Sequence, residues 1–256
     1  MEYGICNLGI VSVRAKGNDR SEIVSQLLFG EHFKILKETK KWVQIQVVKD
    51  QYLGWICKKQ FMEITYEDYD NLDINNFPVC ADGIAYLKEL NNQTVIPISY
   101  GAILPYFHKN NCSIRNKKYE FIGQLASGNF NDHEKYAKAL LNSPYLWGGK
   151  GVFGIDCSGF TQLIYKLCGI HIPRDSYVQA KQGDLINSIS KTQSGDLAFF
   201  QNDKGKVTHV GLIINKNQII HASGKVKIDE LTEEGIYVPE NKTITHKMHC
   251  IKRFTN

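Results

Sequence analysis

The apolar pattern of the chain changes once, near Gly128, and that change narrows the folds open to it. Upstream, apolar residues come in short runs of strand character at residues 9–13, 26–36, 42–48 and 52–56, separated by turn residues such as Gly17-Asn18-Asp19. Several short strands at close spacing predict a small antiparallel barrel over residues 1–65. Residues 66–78 carry Glu67, Asp68, Asp70 and Asp73 and read as an acidic connector. A second β pattern follows over residues 79–128, with runs at 83–87, 95–104 and 119–125, and predicts a second small barrel. Gly30 and Gly101 stand in comparable settings, as do Y-L-G-W-I at 52–56 and Y-E-F-I-G at 119–123, a faint internal echo.

Downstream of Gly128 the period lengthens. Asn131 followed by Glu134 has capping-box spacing for a first helix, with Tyr136, Ala139 and Leu140 on one face. Phe160, Leu163, Ile164 and Leu167 fall at i, i+3, i+4 and i+7, and Gly169 ends this second helix. Then D-L-A-F-F (196–200), V-T-H-V-G-L-I-I (207–214) and Q-I-I-H-A (218–222) read as successive strands. Helices first and antiparallel strands after predict an α+β domain over residues 129–256.

Composition sets the class of partner. Of the 256 residues 43% are hydrophobic and 22% charged, which excludes disorder. A net charge of +5 is too small to argue for nucleic acid. No apolar run approaches the roughly 18 residues a membrane helix needs. Seven scattered cysteines without a C-x-x-C pair do not form a disulfide framework. With Glu2 in place of a basic leader and no A-x-A site, the reading is a cytoplasmic chain with free thiols, although one relieved of an export signal would read the same.

The chemistry concentrates at Cys157, at the start of the second helix. Unpaired N–H groups and the helix dipole there favour thiolate, which predicts a depressed pKa and a nucleophile at neutral pH. A lone cysteine is more often a small packing residue, and Cys168 on the same helix is read that way. Two histidines alter the balance. His209 and His221 flank one apparent hairpin, and a loop at 215–217 would place His221 opposite Gly211, with both rings on one face. That suits Cys–His catalysis, one ring taking the thiol proton and the other orienting it. Spacing leaves open which does which. His246-Lys247-Met248-His249 lacks a second ligand pair and reads as a surface-facing terminal strand, so neither metal nor cofactor is expected. Asp156 is read as shaping the start of the helix.

Six strings stand in order: P-Y-L-W-G-G at 144–149, G-I-D-C-S-G-F at 154–160, P-R-D-S at 173–176, S-G-D-L-A-F-F at 194–200, T-H-V-G-L at 208–212 and I-H-A-S at 220–223. Together they resemble the NlpC-type cysteine peptidases, papain-like enzymes that cleave bacterial cell-wall peptides. The resemblance implies Cys157 as nucleophile, His209 as general base and His221 as the residue that orients it. S-V-R at 12–14, residues 21–31 and residues 50–55 resemble bacterial SH3-like domains, with Lys16-Gly17-Asn18 replacing the usual proline-containing turn. The implied architecture is two small all-β SH3-like barrels followed by an α+β papain-like catalytic domain.

The combination resembles γ-D-glutamyl-L-diamino acid endopeptidases, which act on free murein peptides with an unblocked N-terminal L-Ala during cell-wall recycling. It implies that Asp175 and Ser176 hold the amine, that Tyr145 and Trp147 wall the pocket, and that Ser158 contacts substrate. Tyr52 and Glu22 are carried over from a first SH3-like domain that closes over the site in that family. From the residues alone, Asp175 is equally a cap for a helix starting at Ser176. Two other readings fit the same residues: a cell-wall-binding module with an idle catalytic fold, and a transacylase on that fold.

Overall fold

The computed structural model describes residues 2–74, 76–239 and 242–254. The chain divides into two compact units, Met1–Ser127 with Trp147–Gly151, and Gly128–Leu146 with Val152–Asn256.

In the first unit, β1 (Tyr3–Ile5), β2 (Ile10–Arg14), β3 (Ile23–Leu28), β4 (His32–Glu38), β5 (Trp42–Val47), β6 (Leu53–Cys57) and β7 (Met62–Ile64) form one antiparallel sheet in the order β3-β2-β6-β5-β4-β1-β7. Alternate residues of its strands, among them Val11, Val13, Val43 and Ile45, are buried together in one core. The single run expected over 26–36 is two strands. Gly30, at a φ of +81°, breaks it, and a Cβ there would meet the Ile103 carbonyl oxygen at 2.3 Å.

The acidic stretch after β7 is not an irregular connector but contains a helix, α1 (Tyr66–Ile74). Thr65 Oγ1 accepts from the Asp68 N–H at 3.1 Å while the Asp68 carboxylate accepts from the Thr65 N–H, and Glu67 and Asp68 complement the helix dipole.

A four-stranded sheet follows in the order β10-β11-β8-β9, from β8 (Ala85–Glu89), β9 (Val95–Ile98), β10 (Asn111–Ile114) and β11 (Lys117–Ile122). The internal echo has a geometric counterpart. Gly30 N–H donates to Cys6 O at 2.8 Å and Gly101 N–H donates to Cys80 O at 3.0 Å, both glycines with φ of +81°. Ile5, Phe29 and Leu72 share one core with Cys80, Leu87 and Tyr119, the Phe29 and Tyr119 rings meeting edge to face at 5.7 Å.

The second unit holds α2 (His133–Ala139), and the two-residue strands β12 (Lys150–Gly151) and β13 (Gly154–Ile155) flank the unit boundary. The unit continues with α3 (Cys157–Leu167), α4 (Ser176–Gln179) and seven longer strands. These are β14 (Asp184–Ile186), β15 (Leu197–Gln201), β16 (Val207–Asn215), β17 (Gln218–Ser223), β18 (Lys225–Thr232), β19 (Gly235–Val238) and β20 (Thr243–Arg253). The expected capping box at Asn131 does not form. Residues Phe130–Asp132 make a short 3-10 turn, and Glu134 pairs with Lys138.

Strands and helices do segregate as an α+β unit, but the sheet is not open. β20 pairs with β15 on one side and β19 on the other, so β15 to β20 close a barrel whose interior holds Ala198, Phe200, Ile213, Ile219, Leu231 and Ile236. Among the described residues no helix is long and apolar enough to cross a membrane.

Candidate active site

Cys157 is the first residue of α3, and its position is set by the residue before it. Asp156 caps the helix, Oδ1 accepting from the Gly159 N–H at 2.7 Å. The carboxylate is also gripped by the fully buried Arg174, whose two terminal nitrogens lie 2.9 and 2.6 Å from Oδ1 and Oδ2. Arg174 donates in addition to Ser158 Oγ at 2.9 Å. The start of α3 is thereby pinned by a bidentate ion pair.

α3 packs against β16 and β17, which carry the histidines. His209 and His221 extend the inward row of Ile213, Gly211 and Ile219, so both rings face one side of the hairpin. Leu212 pairs with Ile220, which puts Gly211 opposite His221 one step further along. A Cβ on Gly211 would lie 2.9 Å from His221 Cβ, so the missing side chain makes room for the ring. The hairpin closes through a two-residue turn at Lys216-Asn217 with a bulge at Ile214, tighter than the expected three-residue loop.

His209 Nε2 lies 2.8 Å from His221 Nδ1, and His221 Nε2 lies 3.0 Å from Asp229 Oδ2. Asp229 in turn binds Lys227 Nζ at 2.7 Å. The backbone N–H of Val210, next to His209, faces the Cys157 sulfur. Cys157, His209 and His221 are all buried.

Residues 142–249 match the NlpC/P60 family, and residues 13–61 match the bacterial dipeptidyl-peptidase Sh3 domain. The chain is 30% identical over 251 residues to a γ-D-glutamyl-L-lysine dipeptidyl-peptidase of Bacillus cereus, covering 86% of this chain and 74% of that one. It is 33% identical over 233 residues to the protein of the same name from Bacillus subtilis, covering 82% and 77%. The chain belongs to the NlpC/P60 family. It is a cysteine peptidase with a bacterial SH3 domain ahead of its catalytic domain. A solved NlpC/P60 family protein from Bacillus cereus superposes with a TM-score of 0.81 at 23% identity over 98% of this chain and 99% of the other, a likeness of fold.

The charge state of this NlpC/P60 site departs from the sequence expectation. Burial and the neighbouring Asp156 carboxylate push the Cys157 thiol up to about 12, against the lowering by the Val210 and Ser158 N–H groups and by Arg174. Burial also holds His209 well below its ordinary value, with His221, His246 and Lys227 acting the same way. Both shifts oppose charge separation: burial favours the thiol at Cys157 and the neutral ring at His209. Desolvation outweighs the helix dipole here.

The other sequence candidates fall in both units. In the second, Tyr145 lies near enough to Cys157 and Asp156 that burial and their charge raise its phenol to about 12. Asp175 precedes α4 as expected for a cap, yet makes no side-chain cap bond; its charge and hydrogen bond act on the Tyr177 hydroxyl. Ser176 opens α4 and is buried, and the Ser158 hydroxyl is engaged with Arg174. In the first unit, Trp147 Nε1–H donates to Glu22 Oε1 at 2.6 Å, and Tyr52 OH reaches Val24 O at 3.4 Å.

Asp229, Arg174 and His246 are the residues that sequence reasoning missed. His246 is not surface-facing: it is half-buried, its ring 4.3 Å from that of His209 at 32°. Among the described residues no group of three or more His, Cys, Asp or Glu is arranged to hold a metal ion.

Proposed function

We propose that the protein is an endopeptidase that hydrolyses the bond between γ-D-glutamate and the diamino acid of free murein peptides, releasing L-Ala-γ-D-Glu. The observation that carries this reading is the bonded His209–His221 pair on the hairpin against which α3 packs, with Cys157 at the start of α3, in a chain similar over most of its length to two dipeptidyl-peptidases named for γ-D-glutamyl-L-lysine.

Cys157 acts as nucleophile. As its sulfur attacks the γ-carbonyl carbon of D-glutamate, the thiol proton passes to His209, and His221 holds the ring in place. The negative charge arising on the carbonyl oxygen is met by the main-chain N–H of Cys157. His209 returns the proton to the leaving amine of the diamino acid, the C–N bond breaks, and a thioester to Cys157 remains. Water, deprotonated by His209, attacks the thioester and releases the γ-carboxylate with the thiol restored.

An ammonium entering a dry subsite needs an anion to replace its water. We assign that role to Asp175, just ahead of α4, with the hydroxyl of Ser176 beside it as a further acceptor. Seven unpaired thiols suit a reducing cytoplasm and a role in recycling wall fragments. The four-stranded sheet of β8–β11, which repeats the Cys6–Gly30 geometry at Cys80–Gly101, is a second, abbreviated SH3-like barrel.

Mass spectrometry of L-Ala-γ-D-Glu-L-Lys and its diaminopimelate counterpart, each with free or acetylated N-terminus, tests the assignment. Cleavage of the free peptides and a loss of about 100-fold or more on acetylation are expected, since an acetylated terminus offers the Asp175 carboxylate no charge. Equal rates on both forms, or binding of sacculi without products, would reject it.

A further inference from the structure

Proton positions along the buried line of side chains follow from the chemistry of its outermost member. Asp229 stands on β18 two residues beyond Lys227, the register partner of His221. Its Oδ2 lies 3.0 Å from His221 Nε2 and 2.7 Å from Lys227 Nζ. Partial burial opposes its charge, but the hydrogen bonds from His221 and Lys227 prevail and bring its carboxyl down to about 2. An ionised carboxylate accepts and cannot donate. His221 therefore carries its proton on Nε2 and leaves Nδ1 a bare lone pair. That lone pair faces His209 Nε2 at 2.8 Å, so His209 is protonated on Nε2 and unprotonated on Nδ1. Nδ1 is then the ring atom left to take a proton from Cys157.

We propose that Asp229, clamped by Lys227, is a positioning residue that fixes through His221 the tautomer in which His209 offers Nδ1 to the Cys157 thiol. The proposal rests on the reading of Cys157 and His209 as nucleophile and base. Asp229 acts through two rings. When His209 becomes imidazolium, its Nε2–H bond to His221 strengthens and the carboxylate stabilises the new charge.

Long-range proton–nitrogen spectra of the substrate-free protein near pH 7 read these tautomers directly. His209 and His221 are expected both to carry the proton on Nε2. Asp229→Asn keeps the shape but can turn an N–H toward His221 Nε2, favouring the opposite tautomer in both rings. With it, kcat should fall about 10- to 100-fold while KM stays within about twofold. Asp229→Glu should recover part of kcat. His221 protonated on Nδ1 in the wild type, or Asp229→Asn with unchanged tautomers and kcat, would overturn the proposal. Should Asp229→Asn fail to fold, the wild-type spectrum decides by itself. A wild type that cleaves no murein peptide overturns the functional reading and leaves the tautomer result standing.

Discussion

A buried imidazole stays neutral because its cation loses hydration that nothing nearby replaces. His209 meets that condition with a second ring on Nε2 and a third, that of His246, tilted at 32° against it. His246 is itself lowered to about 4, by burial first and then by His221 and Lys227, with Asp229 opposing. A base must be neutral to take a proton, and the pKa of His209 is depressed, so activity persists below pH 6.5 and is lost as pH falls through the depressed value. The acid limb of kcat/KM against pH is expected to have its midpoint below about 6.5, the ordinary histidine value. A midpoint at or above that value would show that burial does not lower His209. The pKa does not single out Cys157 among the thiols, since burial raises Cys6 and Cys112 to about 12 as well. Its place does: it opens α3, capped by Asp156, with the N–H of Val210, the residue after His209, at its sulfur. Asp229 was not legible beforehand because K-V-K-I-D-E at 225–230 alternates like a solvated edge strand, and only folding places its carboxylate at His221.

At the level of elements, the start of α3 depends on a residue 18 positions away. Asp156 and Arg174 are both buried, and removing one partner of such a pair strands a charge without water. Arg174→Met is expected to lower stability by about 3–5 kcal/mol in urea unfolding. A loss under about 1 kcal/mol would mean that the helix start is held by its cap alone. The strands bearing the histidines, and α3 with its stop at Gly169, were legible because short-range periodicity decides them. The closure of the barrel was not. It depends on β20 finding β15 and β19 at once, a long-range pairing that no local pattern encodes. The same holds for the run at 26–36, where a left-handed glycine overrides continuous apolar character.

Over the whole molecule, the two compact units part at Ser127–Gly128, except that Trp147–Gly151 belongs with the first. The excursion escapes sequence reading because W-G-G is part of the peptidase string, while the partners of this segment lie far upstream: Lys150 Nζ is buried 3.0 Å from Glu31 Oε1, and the Lys150 N–H donates to Gln26 at 2.7 Å. The proposed hydrolysis depends on one thiol among seven. Cys157→Ala removes the sulfur and leaves a buried methyl in a site already shaped by Asp156 and Arg174. Incubated with L-Ala-γ-D-Glu-L-Lys, the variant is expected to release no dipeptide by mass spectrometry while its circular dichroism and urea midpoint match the wild type. Dipeptide released by the folded variant at the wild-type rate would exclude Cys157 as the nucleophile.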